Sequence, residues 1–152
     1  MKKYLIVPNL KGAYVTSTGV PVDIAASDHG KDYADEAAFA AAFNLTTKDA
    51  YAAKQTALAK LQKDFEADLA KGYVDKELGI TIAIGDSDRQ QFNDLEQHLI
   101  RKAVPDNQAV TIKALDGSLH QITRVQFHEL LIRAGDYYLS LWGTLQQKKA
   151  AL

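Results

Sequence analysis

Residues 116–142, DGSLHQITRVQFHELLIRAGDYYLSLW, decide how the C-terminal half of this chain folds. Asp116–Gly117 is a strong two-residue hairpin signal, because both residue types tolerate the positive φ that tight turns demand. On its two sides Val110, Ile112 and Leu115, then Leu119 to Thr123, read as paired strands. Thr123 with Gln126 makes a capping box, so a helix starts there. Phe127, Leu130, Leu131, Ala134, Tyr138, Leu141, Trp142 and Leu145 then recur at i, i+3, i+4 and i+7, the pattern of a helix with an apolar face. Of these, Phe127, Leu130, Leu131, Tyr138, Leu141 and Trp142 are the expected core contribution of the helix. Arg133, Asp136 and Gln146 are expected on its exposed face, with Gln147, Lys148 and Lys149 near its end. Tyr137 and Tyr138 are adjacent, so they cannot both point inward.

Working towards the N-terminus, Ile80 to Ile84 (ITIAI) reads as a strand. Ser87 with Gln90 forms a second capping box. It opens a helix with the stripe Phe92, Leu95, Leu99 and Ala103, which Pro105 ends. The order β-α-β-β-α predicts an α+β domain over 74–152, a small antiparallel sheet covered by two helices.

Before it, residues 46–73 predict one long helix, from about Lys48 to Lys71. Thr46 or Thr47 caps it, Asp49 suits its first turn, and Gly72 stops it. Tyr51, Leu58, Leu61, Phe65 and Leu69 approximate a heptad seam, interrupted by Lys54 and Gln55. Two readings stay open: an amphipathic helix packed on its own domain, or a parallel coiled-coil stem of roughly 35 Å in a homo-oligomer. The seam itself does not select an oligomer state.

Residues 1–45 predict a β-rich docking arm with a short helix. Strands are expected at Lys2–Val7, Ala13–Thr16 and Val20–Ile24, and a helix over 34–43 with Phe39 and Phe43 on one face. So few residues make a thin core, so the arm is expected to lean on another chain or on the rest of the protein. The apolar run Tyr4–Val7 is far too short for a signal sequence, and no window approaches a membrane span. The expectation is a soluble protein made in the cytoplasm.

The chemistry of the chain narrows its function mainly by exclusion. Its 152 residues suit one medium domain, or a small domain with an appendage. A net charge of −1 gives no field to gather nucleic acid or anionic lipid. The absence of cysteine excludes disulfides, thiolate nucleophiles and cysteine-ligated zinc. His120 and His128 lack metal-binding spacing, and Glu129 sits on a different helix face from His128. Gly85-Asp86-Ser87-Asp88 places carboxylates at a helix start, where the dipole alone favours them. Asn44-Leu45-Thr46 matches a glycosylation pattern but reads as a helix-cap region. No phosphate loop and no nucleophile motif occurs. No enzyme, cofactor or metal is expected.

Three quoted stretches carry a resemblance: GITIAIGDSDRQQF (79–92), VTIKALDGSLHQIT (110–123) and FHELLIRAGDYYLSLW (127–142). Together they resemble an uncharacterised C-terminal domain of bacteriophage tail and tail-fibre-associated proteins, over about residues 79–147. Asp88, Arg89, Lys113, Asp116, Gly117 and Thr123 occupy the family's places. Ile112 stands where the family has an aromatic, and Asn93 to His98 replace an alanine-rich stretch. The resemblance covers about half the chain and brings no enzymatic residues. It implies a structural protein of the virion tail or baseplate, fibre-associated or adaptor-like, working by protein–protein docking. Its implied partners are tail or fibre proteins and further copies of itself, as a trimer by analogy with fibres. The alternative is a tail-fibre assembly chaperone, absent from the finished particle.

Overall fold

The computed structural model describes residues 2–3, 14–16, 32–33 and 45–152. The chain divides into two compact units, Met1–Ala59 and Lys60–Leu152.

Among its described residues the first unit has two short antiparallel ladders. Strand β1 (Lys2–Lys3) pairs with β3 (Asp32–Tyr33), and β2 (Tyr14–Thr16) pairs with β4 (Leu45–Thr47). The strand expected at Val20–Ile24 and the helix expected over 34–43 lie outside the described residues. Helix α1 (Lys48–Ala70) starts in this unit and runs into the second. It ends where Gly72 takes φ +74°, with the Gly72 N–H donating back to the Leu69 carbonyl at 3.0 Å.

The second unit is α+β. Two antiparallel hairpins alternate with two helices: β5 (Tyr73–Asp75), β6 (Ile80–Ile82), α2 (Asp86–Arg101), β7 (Ala109–Lys113), β8 (Leu119–Thr123) and α3 (Arg124–Ala150). The order therefore gains a strand over the expected β-α-β-β-α, because β5 precedes β6. One bond joins the hairpins, from the Leu115 N–H to the Thr81 carbonyl at 2.8 Å. Strand β7 buries Val110 and Ile112 and exposes the residues between them, the period-2 pattern of a sheet with one dry face. Ile80, Ile82, Ile84, Ile122, Phe127 and Leu130 complete the core. Phe127 and Leu130 have no exposed surface at all.

Local chemistry explains the element boundaries. The β7–β8 loop is longer than two residues: Gly117 donates to the Ala114 carbonyl at 3.0 Å, and Ala114 to the Ser118 carbonyl at 2.8 Å. Gly117 takes φ +88°, completing a turn of the three-residue type. Asp116 accepts from the Ser118 N–H at 2.9 Å and from its hydroxyl. The Thr123 box forms in full, Gln126 N–H to Thr123 Oγ1 and Thr123 N–H to Gln126 Oε1. The box expected at Ser87 does not form. Gly85 is the N-cap, Ser87 lies inside the helix, and Gln90 bonds Asp94 instead. Ala103, expected on the α2 stripe, lies beyond the helix end at φ +49°. Phe92, Leu95 and Leu99 cover the core without being fully buried.

Candidate functional site

The most tightly built polar cluster joins β5 to α3. Asp75 is wholly buried. Its Oδ1 accepts from the backbone N–H groups of Glu77 at 3.0 Å and Leu78 at 2.9 Å. Its Oδ2 accepts from Arg133 Nε at 2.8 Å. Burial alone would raise this carboxyl. The Arg133 bond and the two backbone donors outweigh it and hold the carboxyl below the ordinary aspartate value. Arg133 also reaches Glu77 at 3.0 Å. Arg133, expected on the exposed face of its helix, thus serves the interior, because a buried carboxylate needs a charged partner. Tyr73 beside it is shifted up, first by burial and then by the Asp75 charge. Both Asp75 oxygens are engaged by donors, so the cluster works as a joint rather than a proton-transfer centre.

A second feature is a surface hollow between α2 and α3. A cavity of about 230 Å³ has Ile82, Ile84 and Phe92 among its apolar walls, with Arg89, Asn93, Gly135 and Tyr138 also lining it. Arg89 lies 3.5 Å over the Tyr138 ring and pairs with Asp86. Its Nε is buried and has no hydrogen-bond partner. The Tyr138 edge also meets Phe65, with centroids 6.2 Å apart. Tyr137 turns to the other flank and packs on Tyr73 at 5.5 Å. The adjacent tyrosines are both half-buried, about 100° apart round α3.

The third feature is the outward face of α3. Val125, Ile132, Leu139 and Trp142 are 38, 52, 60 and 46% exposed. Trp142, expected in the core, is thus largely on the surface. Leu131 and Leu141 pack against the core from its edge. The turn of helix that buries Leu141 and Leu145 points Trp142 away, since neighbours on a helix lie about 100° apart.

The remaining candidates are dispersed. His120 sits beside the Ser118 hydroxyl at 2.9 Å, and His128 pairs with Glu96 of α2. Among the described residues no three His, Asp or Glu side chains are grouped to hold a metal ion. No helix among them is long and apolar enough to cross a membrane. Of the heptad-like residues on α1, Tyr51 and Leu58 belong to the first unit and are half-buried. Leu61 and Phe65 share a small hollow with Leu141 and Leu145, and Leu69 packs on the core. Those three contacts lie within the chain itself. Asp75, Arg89, Ile132 and Leu139 were not signalled as site residues by any motif; only the spacing of the last two hinted at a face.

No family model matches this chain, and neither a curated protein nor a solved structure matches it.

Proposed function

We propose that the protein works by docking to other proteins, as a structural subunit of a bacteriophage tail or baseplate. The observation that carries the docking reading is the row Val125, Ile132, Leu139 and Trp142 along one helix, too ordered for scattered surface apolar residues. The tail assignment rests on the resemblance of residues 79–147 to domains of tail-associated proteins. On this reading residues 1–45 are the docking arm, and of the heptad-like residues on α1 only Tyr51 and Leu58 are left to meet other copies, because Leu61, Phe65 and Leu69 pack within the chain. No catalysis, cofactor, nucleic acid or membrane enters the proposal.

The hollow beside Tyr138 favours one second reading, a fibre-assembly chaperone that keeps an apolar groove open for its client. Quantitative mass spectrometry of purified particles from the source phage or prophage separates the two. Presence at a small symmetric multiple of a known tail protein supports the structural subunit. Absence from particles, with abundance in the infected lysate, rejects that reading in favour of the chaperone.

A further inference from the structure

We propose that α3 pairs antiparallel with α3 of a second copy of this chain, through its outward face. The proposal rests on the docking reading above and names the partner. The exposed residues Val125, Ile132, Leu139 and Trp142 are the large apolar side chains that α3 leaves on the surface. They fall on one seam. With His128, Gly135 and Gln146 between and after them, the spacing alternates three and four from Val125 to Gln146. That is the repeat of a helix that packs against another helix along its length. The inward face of the same helix, through Phe127, Leu130, Ala134 and Leu145, is already buried in the chain's own core. The outward seam is therefore additional to what the fold needs.

Size complementarity selects a second copy and its direction. A Cβ at Gly135 would meet nothing within 4 Å, so open space stands over the seam there. In an antiparallel pair with Gly135 opposite the partner's Leu139, Ile132 faces the partner's Trp142. His128 then faces the partner's Gln146. Each contact occurs twice about a two-fold axis near Tyr137, as a self-complementary interface requires. The partner's Leu139 enters the open space over Gly135, at the rim of the 230 Å³ hollow. A parallel pair would instead set glycine against glycine and tryptophan against tryptophan, leaving a hole beside a clash.

Charge points the same way. Glu129 and Asp136 are exposed on the first half of the helix, and Lys148 and Lys149 lie in its last turn. The antiparallel register brings the Glu129 backbone within about a turn of the partner's Lys148 and Lys149, which in each chain lie beside α1, Lys149 Nζ donating to Gln62 Oε1 at 3.3 Å. The parallel register stacks acid on acid. The seam from Val125 to Lys149 is roughly 37 Å long at 1.5 Å per residue. Because the chain has no cysteine, introduced cysteines report on direction without background.

The test uses the full chain. Light scattering on a sizing column should give twice the single-chain mass of 16.7 kDa at micromolar concentration. Leu139→Asp should weaken association by roughly 100-fold or more, since it removes two apolar contacts per dimer. Its circular dichroism should be unchanged, because the side chain is exposed. Ile132→Cys chains mixed with Trp142→Cys chains should oxidise to a mixed dimer, while either variant alone should not cross-link. A single-chain mass at high concentration overturns the proposal and leaves the face to a different protein. So does a trimer, an oligomer that survives Leu139→Asp, or cross-linking within each single variant. A dimer that is missing from particles overturns only the tail reading. A monomer found in particles overturns only the pairing.

Discussion

The two hairpins of the second unit have the same topology and opposite origins. β7–β8 is held by neighbours in sequence: the Asp116–Ser118 bonds, the positive φ of Gly117, and the Thr123 box that follows. β5–β6 has only three residues per strand, and its decisive contact comes from Arg133, 58 positions beyond Asp75. One hairpin is written into its own turn. The other has local bonds too, from the Glu77 and Leu78 N–H groups to Asp75 and a positive φ at Gly79, but its buried carboxylate also draws a cation from a helix at the far end of the chain. A hairpin held by exposed local bonds should tolerate loss of one of them, and one whose turn is built on a buried carboxylate should lose most when that carboxylate goes.

The largest effect should therefore come from Asp75→Ala. It removes the buried partner of Arg133 and the acceptor of two backbone N–H groups. Breaking such a buried pair costs about 3–5 kcal/mol, against roughly 5–15 kcal/mol of total stability for an ordinary domain. Urea unfolding should show that loss, and exchange protection should fall first in β5. A cost below about 1 kcal/mol, within the range of exposed pairs, would show that the joint is not what holds β5–β6. The same joint predicts an acid limb. The folded Asp75 carboxyl lies below its unfolded value, so its stabilisation is fully present above about pH 4. It is lost as the pH falls through the lower, folded-state value. Wild type should lose stability over that window more steeply than Asp75→Asn, whose side chain does not titrate. Parallel curves would remove the ion pair from the explanation.

Next in size is Gly72→Ala, at the entrance to β5. Gly72 adopts φ +74°, and an added Cβ would stand 2.5 Å from the Ile82 carbonyl oxygen. The left-handed backbone alone costs roughly 1–2 kcal/mol for a residue with a Cβ. The clash with β6 backbone, which cannot rotate away, adds to it. A melting-temperature drop larger than that of any turn substitution in β7–β8 is expected. An equal drop would mean that the two hairpins share one kind of restraint.

This contrast also explains what was legible in the sequence. The β7–β8 pair, the α3 start at Thr123 and the buried Phe127 and Leu130 follow from bonds and periodicities spanning a few residues. β5 was not legible, because Tyr73-Val74-Asp75 is too short for a period and the cation that pairs with the buried Asp75 is 58 residues away. The expected cap at Ser87 misplaced the start of α2, since Gly85 and the dipole-favoured Asp86 begin the helix without it. The spacing places Trp142 in the core because α3 is apolar on two faces. An i, i+3, i+4 count merges two seams that only the three-dimensional packing separates. The outward seam was thus present in the letters and hidden by the inward one.

Smaller losses belong to the local hairpin. Thr123→Ala removes one bond of the capping box and should cost about 1 kcal/mol, with the β7–β8 register unchanged by nuclear Overhauser contacts. A shifted register would show that the cap, and not the turn, sets the pairing.

The finest comparison sets one substitution in two glycines of like conformation. Asparagine tolerates the left-handed region better than other residues with a Cβ. At Gly117 an added Cβ would come no nearer than 3.9 Å to another atom, the flexible Lys113 Cε. Gly117→Asn should therefore cost only about 0.5 kcal/mol, the scale of an uncomplicated surface change. Gly72→Asn has the same backbone preference but keeps the Cβ against Ile82 oxygen, so it should cost nearly as much as Gly72→Ala. Unfolding both variants in urea separates the two causes. If asparagine rescued Gly72 as well as Gly117, backbone conformation would be the whole requirement at both turns. If it rescued only Gly117, close approach of β6 would be the reason that the remote hairpin cannot accept a side chain at its entrance.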